Sequence, residues 1–323
     1  MSGARQTHCF LDCIAYVMQA GQDIDCRPMY VGIWDASFEA TGEGISYYSD
    51  SIGIESMCNM IEQLYGISIS RLNDPSKLKA ENYSTLLHQL MFKNQNQSII
   101  ILVDLFYLPY PNQCYRTKHR PHLILVDHLK DDHCFLIDPY FAWNDYVPIE
   151  ILEESFYCGD LNVAVMIDTI KSHPPDVSVI AHYMNKHLHL SPNRLTEQVQ
   201  LLIDKVIAQE AGSTIDRLYQ SIEQVSVIAK RLNGYEMVYS YLDDSLKRSS
   251  SNAYRKIAEI NKKWESLLLS IMRISILRNL DGLLPLQKKV NHISQLESEL
   301  KQELLDLSIQ WGGRTLLKQQ QGK

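Results

Sequence analysis

A chain of 323 residues is too long for one ordinary hydrophobic core, and domains of ~100–200 residues make two the expectation. Hydrophobic residues at 45% and charged residues at 21% are proportions of a folded protein, which excludes whole-chain disorder and collagen-like repeats. Thirty-one Lys and Arg against thirty-eight Asp and Glu leave a net charge of −7, the wrong sign for a nucleic-acid partner.

The first residues, MSGARQTHCFLDC, reach His8 and Asp12 before any apolar stretch of signal-peptide length develops. Residues 9–19 then place Phe10, Ile14, Val17 and Met18 at helical spacing, and Gly21 is the expected stop. Residues 53–65 repeat the pattern and end at Gly66. Three short runs bounded by turn residues read as buried strands: SIIILVD (98–104), HLILVD (122–127) and CFLID (134–138). The longest apolar run, 98–108, is interrupted by Asp104 and falls short of the ~20 residues needed to span a bilayer, so a cytoplasmic protein without membrane contact is expected. Helices followed by strands give an α+β domain. After a β-like run at 161–167, the prolines of KSHPPDVS (171–178) mark a boundary, giving domains 1–172 and 173–323. Beyond Pro192 the apolar residues recur at helical spacing, as in Leu195, Val199, Leu202 and Val206, then Leu296, Leu300, Leu304 and Leu307, which predicts an all-α helical bundle. Residues 1–175 hold 11 Lys and Arg against 22 Asp and Glu, so the two parts carry −11 and +4. Lys256, Lys262 and Lys263 form a candidate basic cluster on one predicted helix.

Seven cysteines (9, 13, 26, 58, 114, 134 and 158) are odd in number and lack C-x-x-C pairing, so free thiols are expected. Cys9 stands where the first helix should begin. A thiol there meets unpaired N–H groups and the positive end of the helix dipole, which favour thiolate. Cys9 is therefore a candidate nucleophile, with a buried structural cysteine as the bland alternative and Cys13, one turn on, as a rival. A thiol nucleophile needs a base, and an imidazole base needs an acceptor on its other nitrogen. His122 opens one strand and Asp138 closes the next across a hairpin-like LKDDH, so the two should be neighbours. His119 and His122 with Asp104 or Asp127 offer a metal site instead, but no second ligand cluster accompanies them.

The combination of HCFLDCIAYV, DLFYLPY (104–110), HLILVDH and DPYF resembles the butirosin acyltransferase family, papain-like enzymes that move an acyl group from an acyl carrier protein to an amine. It is also similar to the amide-forming cysteine-protease-like enzymes of closthioamide biosynthesis. The resemblance spans roughly the first 170 residues. It implies a papain-like cysteine-protease fold, a helix packed on an antiparallel sheet, with Cys9 as nucleophile, His122 as base and Asp138 as orienting group. Gln6, three residues before Cys9, is implied as an oxyanion group at a shorter spacing than papain-type enzymes use, and the Cys9 N–H is the safer donor. Asp104, Tyr107 and Tyr110 are implied to line the site, with Phe106 standing where the family has a first Tyr.

The resemblance implies a cysteine-dependent acyltransferase that forms an amide from a carrier-protein (phosphopantetheine) thioester and a small amine or polyamine in secondary-metabolite biosynthesis. The chemistry requires neither metal nor cofactor. An acidic catalytic domain would attract a cationic amine, and a basic helical domain would dock an acidic carrier. A cysteine peptidase or thioesterase uses the same groups with water as acceptor, and a non-catalytic assembly scaffold is the third alternative.

Overall fold

The computed structural model describes residues 6–47, 53–156 and 163–321; Tyr48, Cys158, Leu161 and Asn162 lie outside them. In chain order the elements are α1 (Cys9–Gln22), β1 (Glu39–Ala40), β2 (Ile45–Ser46), α2 (Glu55–Tyr65), β3 (Ser68–Arg71), α3 (Lys79–Phe92), β4 (Gln97–Asp104), β5 (Pro121–Lys130), β6 (His133–Asp138), β7 (Trp143–Pro148), α4 (Ile149–Ser155) and β8 (Ala164–Asp168). Seven helices follow: α5 (Val177–His187), α6 (Arg194–Ile207), α7 (Ile215–Ile222), α8 (Val225–Ile228), α9 (Gly234–Leu246), α10 (Ser251–Leu277) and α11 (Leu283–Gln321). The α+β arrangement with an antiparallel sheet and a helical C-terminal region is the expected one. The chain divides into two compact units, Met1–Met29 with Gly53–Asp176, and Tyr30–Ile52 with Val177–Lys323.

In the first unit α1 buries Phe10, Leu11, Cys13, Ile14 and Met18 along one stripe. It runs through Gly21 and stops at Asp23, whose φ of 50° ends the helix in the left-handed region. Asp tolerates that conformation through its short polar side chain, which is why the glycine is not the stop. Gly66 does end α2, with φ 68° and its N–H bonded to the Glu62 carbonyl; a Cβ there would lie 2.8 Å from the His173 ring.

The six-stranded sheet has the order β3-β8-β4-β5-β6-β7, and every pair is antiparallel. The three strands expected from the sequence are its central neighbours. Val103 pairs with His122 and Leu125 with Ile137, and the β5–β6 register shifts between Val126 and His128. β4 and β5 are buried on both faces, so they read as continuous apolar runs. Ile99, Ile101, Val103, Ile124, Val126 and Leu136 form the core on one face.

In the second unit the apolar rows of α6 and α11 are buried as their spacing requires. Residues 30–47 pack into this helical unit. Trp34 stacks on Tyr235 at 4.0 Å, and Arg231 donates to the carbonyls of Ala36 and Ser37. Lys301, with no solvent exposure, reaches the Asp35 carboxylate at 2.8 Å and the Glu297 carboxylate at 3.7 Å. The expected basic cluster of Lys256, Lys262 and Lys263 lies on α10, with acidic neighbours. Lys256 is held by Glu303 at 2.5 Å and Glu299 at 3.2 Å, and Lys263 by Glu259 at 3.3 Å, so carboxylates of α10 and α11 neutralise two of its three charges. Among the described residues no helix is long and apolar enough to cross a membrane.

Candidate active site

Cys9 is the first residue of α1, and His8 before it is in extended backbone with φ −151° and ψ 119°. The chain therefore turns into the helix at the thiol itself, and the first intrahelical bond is from the Asp12 N–H to the His8 carbonyl. Asp12 fixes this turn: its carboxylate accepts the N–H groups of Thr7 at 3.1 Å and His8 at 3.2 Å. Gln6, half-buried, enters the turn three residues ahead of the thiol.

The sheet supplies the imidazole and the carboxylate. His122 Nε2 lies 2.9 Å from Asp138 Oδ2, and the side chain of Cys9 is in hydrogen-bonding contact with the His122 ring. With Nε2 given to Asp138, Nδ1 is the nitrogen left to face the thiol. All three residues are buried, at 3% exposure for Cys9, 5% for His122 and 0% for Asp138. Burial opposes a charge on His122, but the Asp138 charge together with hydrogen bonds to Asp138 and Cys9 outweighs it and pushes the His122 pKa up to about 10. An imidazolium beside a thiol favours the thiolate, which is the nucleophilic form.

Asp138 is itself held. Tyr110 donates its hydroxyl to the same Oδ2 that His122 uses, and the Phe141 N–H reaches Oδ1 at 3.3 Å. The Tyr110 ring is clamped by Trp143, stacked at 3.9 Å, and by Phe141 edge-on at 5.8 Å. Burial, reinforced by the Asp138 charge, pushes the Tyr110 hydroxyl well above its ordinary range, so it remains a donor. Tyr140 and Phe141 both bring their rings to 5.3 Å from the His122 ring.

The remaining expected residues fall elsewhere on the connection between β4 and β5. Asp104 accepts the N–H groups of Phe106 and Arg120 and lies 2.5 Å from His119 Nδ1, so it braces that connection. Tyr107 packs edge-on to Phe106 and under the Arg116 guanidinium. His119 and His122 thus have different carboxylate partners. Sequence reasoning missed Asp12, Phe141 and Trp143; an acidic residue in the first helical turn was the available signal for Asp12, and nothing local marked the aromatic pair.

Cys13 is fully buried, with its Sγ 3.6 Å from the Leu123 carbonyl, and burial raises its pKa well above that of a free thiol. Burial also lifts Cys26 to about 11 and Cys58 and Cys134 to about 12. Iodoacetamide at about pH 6.5–7, some two units below a free thiol pKa, is expected to alkylate Cys9 ahead of these four. Peptide mapping checks this, and equal labelling of the half-buried Cys58 would remove Cys9 from the role of activated thiol.

Residues 5–172 match the DUF6005 N-terminal domain and residues 178–323 the DUF6005 C-terminal domain. A petrobactin synthase of Bacillus anthracis is 26% identical over 311 residues, covering 95% of each chain. With both domain matches in chain order and the helix-start thiol, strand imidazole and buried carboxylate all inside the first, the chain belongs to the DUF6005 family.

Proposed function

We propose that this protein is a cysteine-dependent, papain-like acyltransferase that forms an amide from a carrier-protein thioester and an amine. The observation that carries the reading is the buried Cys9, His122 and Asp138 set, in which His122 Nε2 is engaged by a carboxylate and its ring contacts the thiol. The similarity to a protein named as a synthase supports bond formation over cleavage. Burial supports it too, because a site that keeps water from an acyl-thioester favours an amine as the second nucleophile.

In this mechanism Cys9 thiolate attacks the donor carbonyl, and the developing oxyanion is met by N–H groups at the start of α1, with Gln6 as a further donor. Collapse breaks the bond to the donor sulfur, and His122 imidazolium gives that sulfur its proton. The acyl group is then a thioester on Cys9. The incoming amine attacks it, His122 takes the amine proton, and amide leaves as Cys9 returns to thiolate. Asp138 stabilises the imidazolium in both half-reactions and stays ionised. The acidic balance of residues 1–175 favours a cationic amine or polyamine at the second step.

Mixing the protein with an acyl-loaded carrier is expected to add the acyl mass to Cys9 in intact-protein mass spectrometry and to leave Cys9→Ala unmodified. Addition of a polyamine should discharge the adduct as amide faster than water does. Discharge only as free acid would convert the reading to a hydrolase, and no adduct from any thioester would end it.

A further inference from the structure

Residues 1–175 are strongly acidic, yet three of their eleven Lys and Arg stand at 116, 118 and 120, on the approach to β5. That approach continues the β4–β5 ladder past the Asp104 and Pro121 pair, since the Leu105 N–H donates to the Arg120 carbonyl at 3.0 Å. Across Arg120, Pro121 and His122 strand alternation then sorts the side chains onto two faces. Asp104, Phe106 and His119 meet on one face, where the Phe106 and His119 rings stack at 4.2 Å and His119 reaches the Asp104 carboxylate. Arg116 belongs with this set, its guanidinium 5.6 Å from the Phe106 centroid. Arg120 falls on the other face, with Val103 and His122. On the backbone Arg120 therefore stands a single pleat, ~6–7 Å along the strand, ahead of His122, whose imidazole contacts Cys9 and Asp138.

Arg120 is half-buried, and among the described residues its side chain has no ion-pair partner. A half-buried guanidinium without an ion-pair partner is a receptor for an anion, and its planar fork suits phosphate oxygens. We infer that Arg120 receives the phosphate ester of the donor's pantetheine arm, the one formal charge on that arm that is independent of the acyl group. The inference rests on the carrier-thioester reading proposed above and adds to it the residue that recognises the arm.

The test compares two thioesters of one acyl group, on phosphopantetheine and on pantetheine, for the rate of Cys9 acylation at sub-saturating donor. The unaltered protein is expected to prefer the phosphorylated donor by about ten-fold or more, the scale of one charge-assisted hydrogen-bonded contact. Arg120→Gln should bring the ratio close to one. Arg116→Gln removes the same charge from the opposite face and should keep the ratio. A ratio near one in the unaltered protein, a preserved ratio in Arg120→Gln, or an equal collapse in Arg116→Gln overturns the assignment. So does a defect of Arg120→Gln that appears with the carrier-bound donor alone, which would place the cation against the carrier's protein surface. If no thioester acylates Cys9, the acyl-transfer reading fails on its own; calorimetric binding of phosphopantetheine against pantetheine to the unaltered and Arg120→Gln proteins then decides whether Arg120 holds the phosphate.

Discussion

Cys9→Ala and His122→Ala are each expected to lower acyl transfer by at least ~10³-fold, while Asp138→Asn keeps a measurable fraction of the activity. The asymmetry follows from the roles: the thiol forms the covalent bond and the imidazole moves both protons, whereas the carboxylate acts through the imidazole. Asp138→Asn also carries a pH signature. Burial alone depresses the His122 pKa, and the Asp138 charge is what raises it to about 10. Without that charge the imidazolium that protonates the donor sulfur is lost at lower pH, so the alkaline limit of acyl transfer should move downward. Tyr110→Phe has the opposite expected sign, because an Asp138 oxygen freed of its phenol donor attracts the imidazolium more strongly. Steady-state rates on the four variants, with pH–rate profiles of Asp138→Asn and Tyr110→Phe, check both points. Near-normal turnover in Cys9→Ala would assign the chemistry to another group, and identical alkaline limits in Asp138→Asn and the unaltered protein would remove Asp138 from the dyad.

The parts of this fold that were legible in the sequence are those whose signal is local. β4, β5 and β6 are central strands whose apolar runs are largely buried and are bounded by turn residues. The hairpin between β5 and β6 therefore predicts His122 and Asp138 as neighbours, and the His122 ring lies 2.9 Å from the Asp138 carboxylate. β7, at the sheet edge, exposes Asn144, Asp145 and Tyr146 in succession and offers no alternation to read. α3 was hidden for a related reason: its buried positions include Asn82, which bonds the Asp74 main chain and lacks an apolar signature. Residues 30–47 carry no local signal for their place in the helical unit. Their place among the helices depends on contacts such as Trp34 with Tyr235 and Lys301 with Asp35, separated by two hundred residues or more in the chain. At the site, Tyr110 was expected near substrate, but its hydroxyl is used on Asp138; a motif names the residue and only the fold gives the direction of its hydroxyl.

Lys301→Met is expected to destabilise the protein by about 3–5 kcal/mol at pH 8, the cost of leaving buried carboxylates without their cation. In the folded helical unit Lys301 faces Asp35 and Glu297, and the Tyr235 hydroxyl also donates to Glu297, at 3.3 Å. Two carboxylates and one ammonium leave a surplus negative charge in a buried place. Burial answers it by raising the Glu297 pKa from 4.5 to about 7, against the pull of Lys301. A carboxyl whose pKa is raised on folding binds more protons folded than unfolded, so stability from this group falls as pH rises from 4.5 to about 7 and is level above that. Removing Lys301 takes away the charge that holds the Glu297 and Asp35 values down, which extends the falling window upward. The penalty of Lys301→Met should therefore be smaller at pH 5.5, where Glu297 is protonated, than at pH 8. Adding Glu297→Gln should recover part of the loss at pH 8 and flatten the slope. Urea unfolding of the three proteins at both pH values measures this; an equal penalty at pH 5.5 and pH 8 would mean that Lys301 contributes through packing of its methylene chain rather than through its charge.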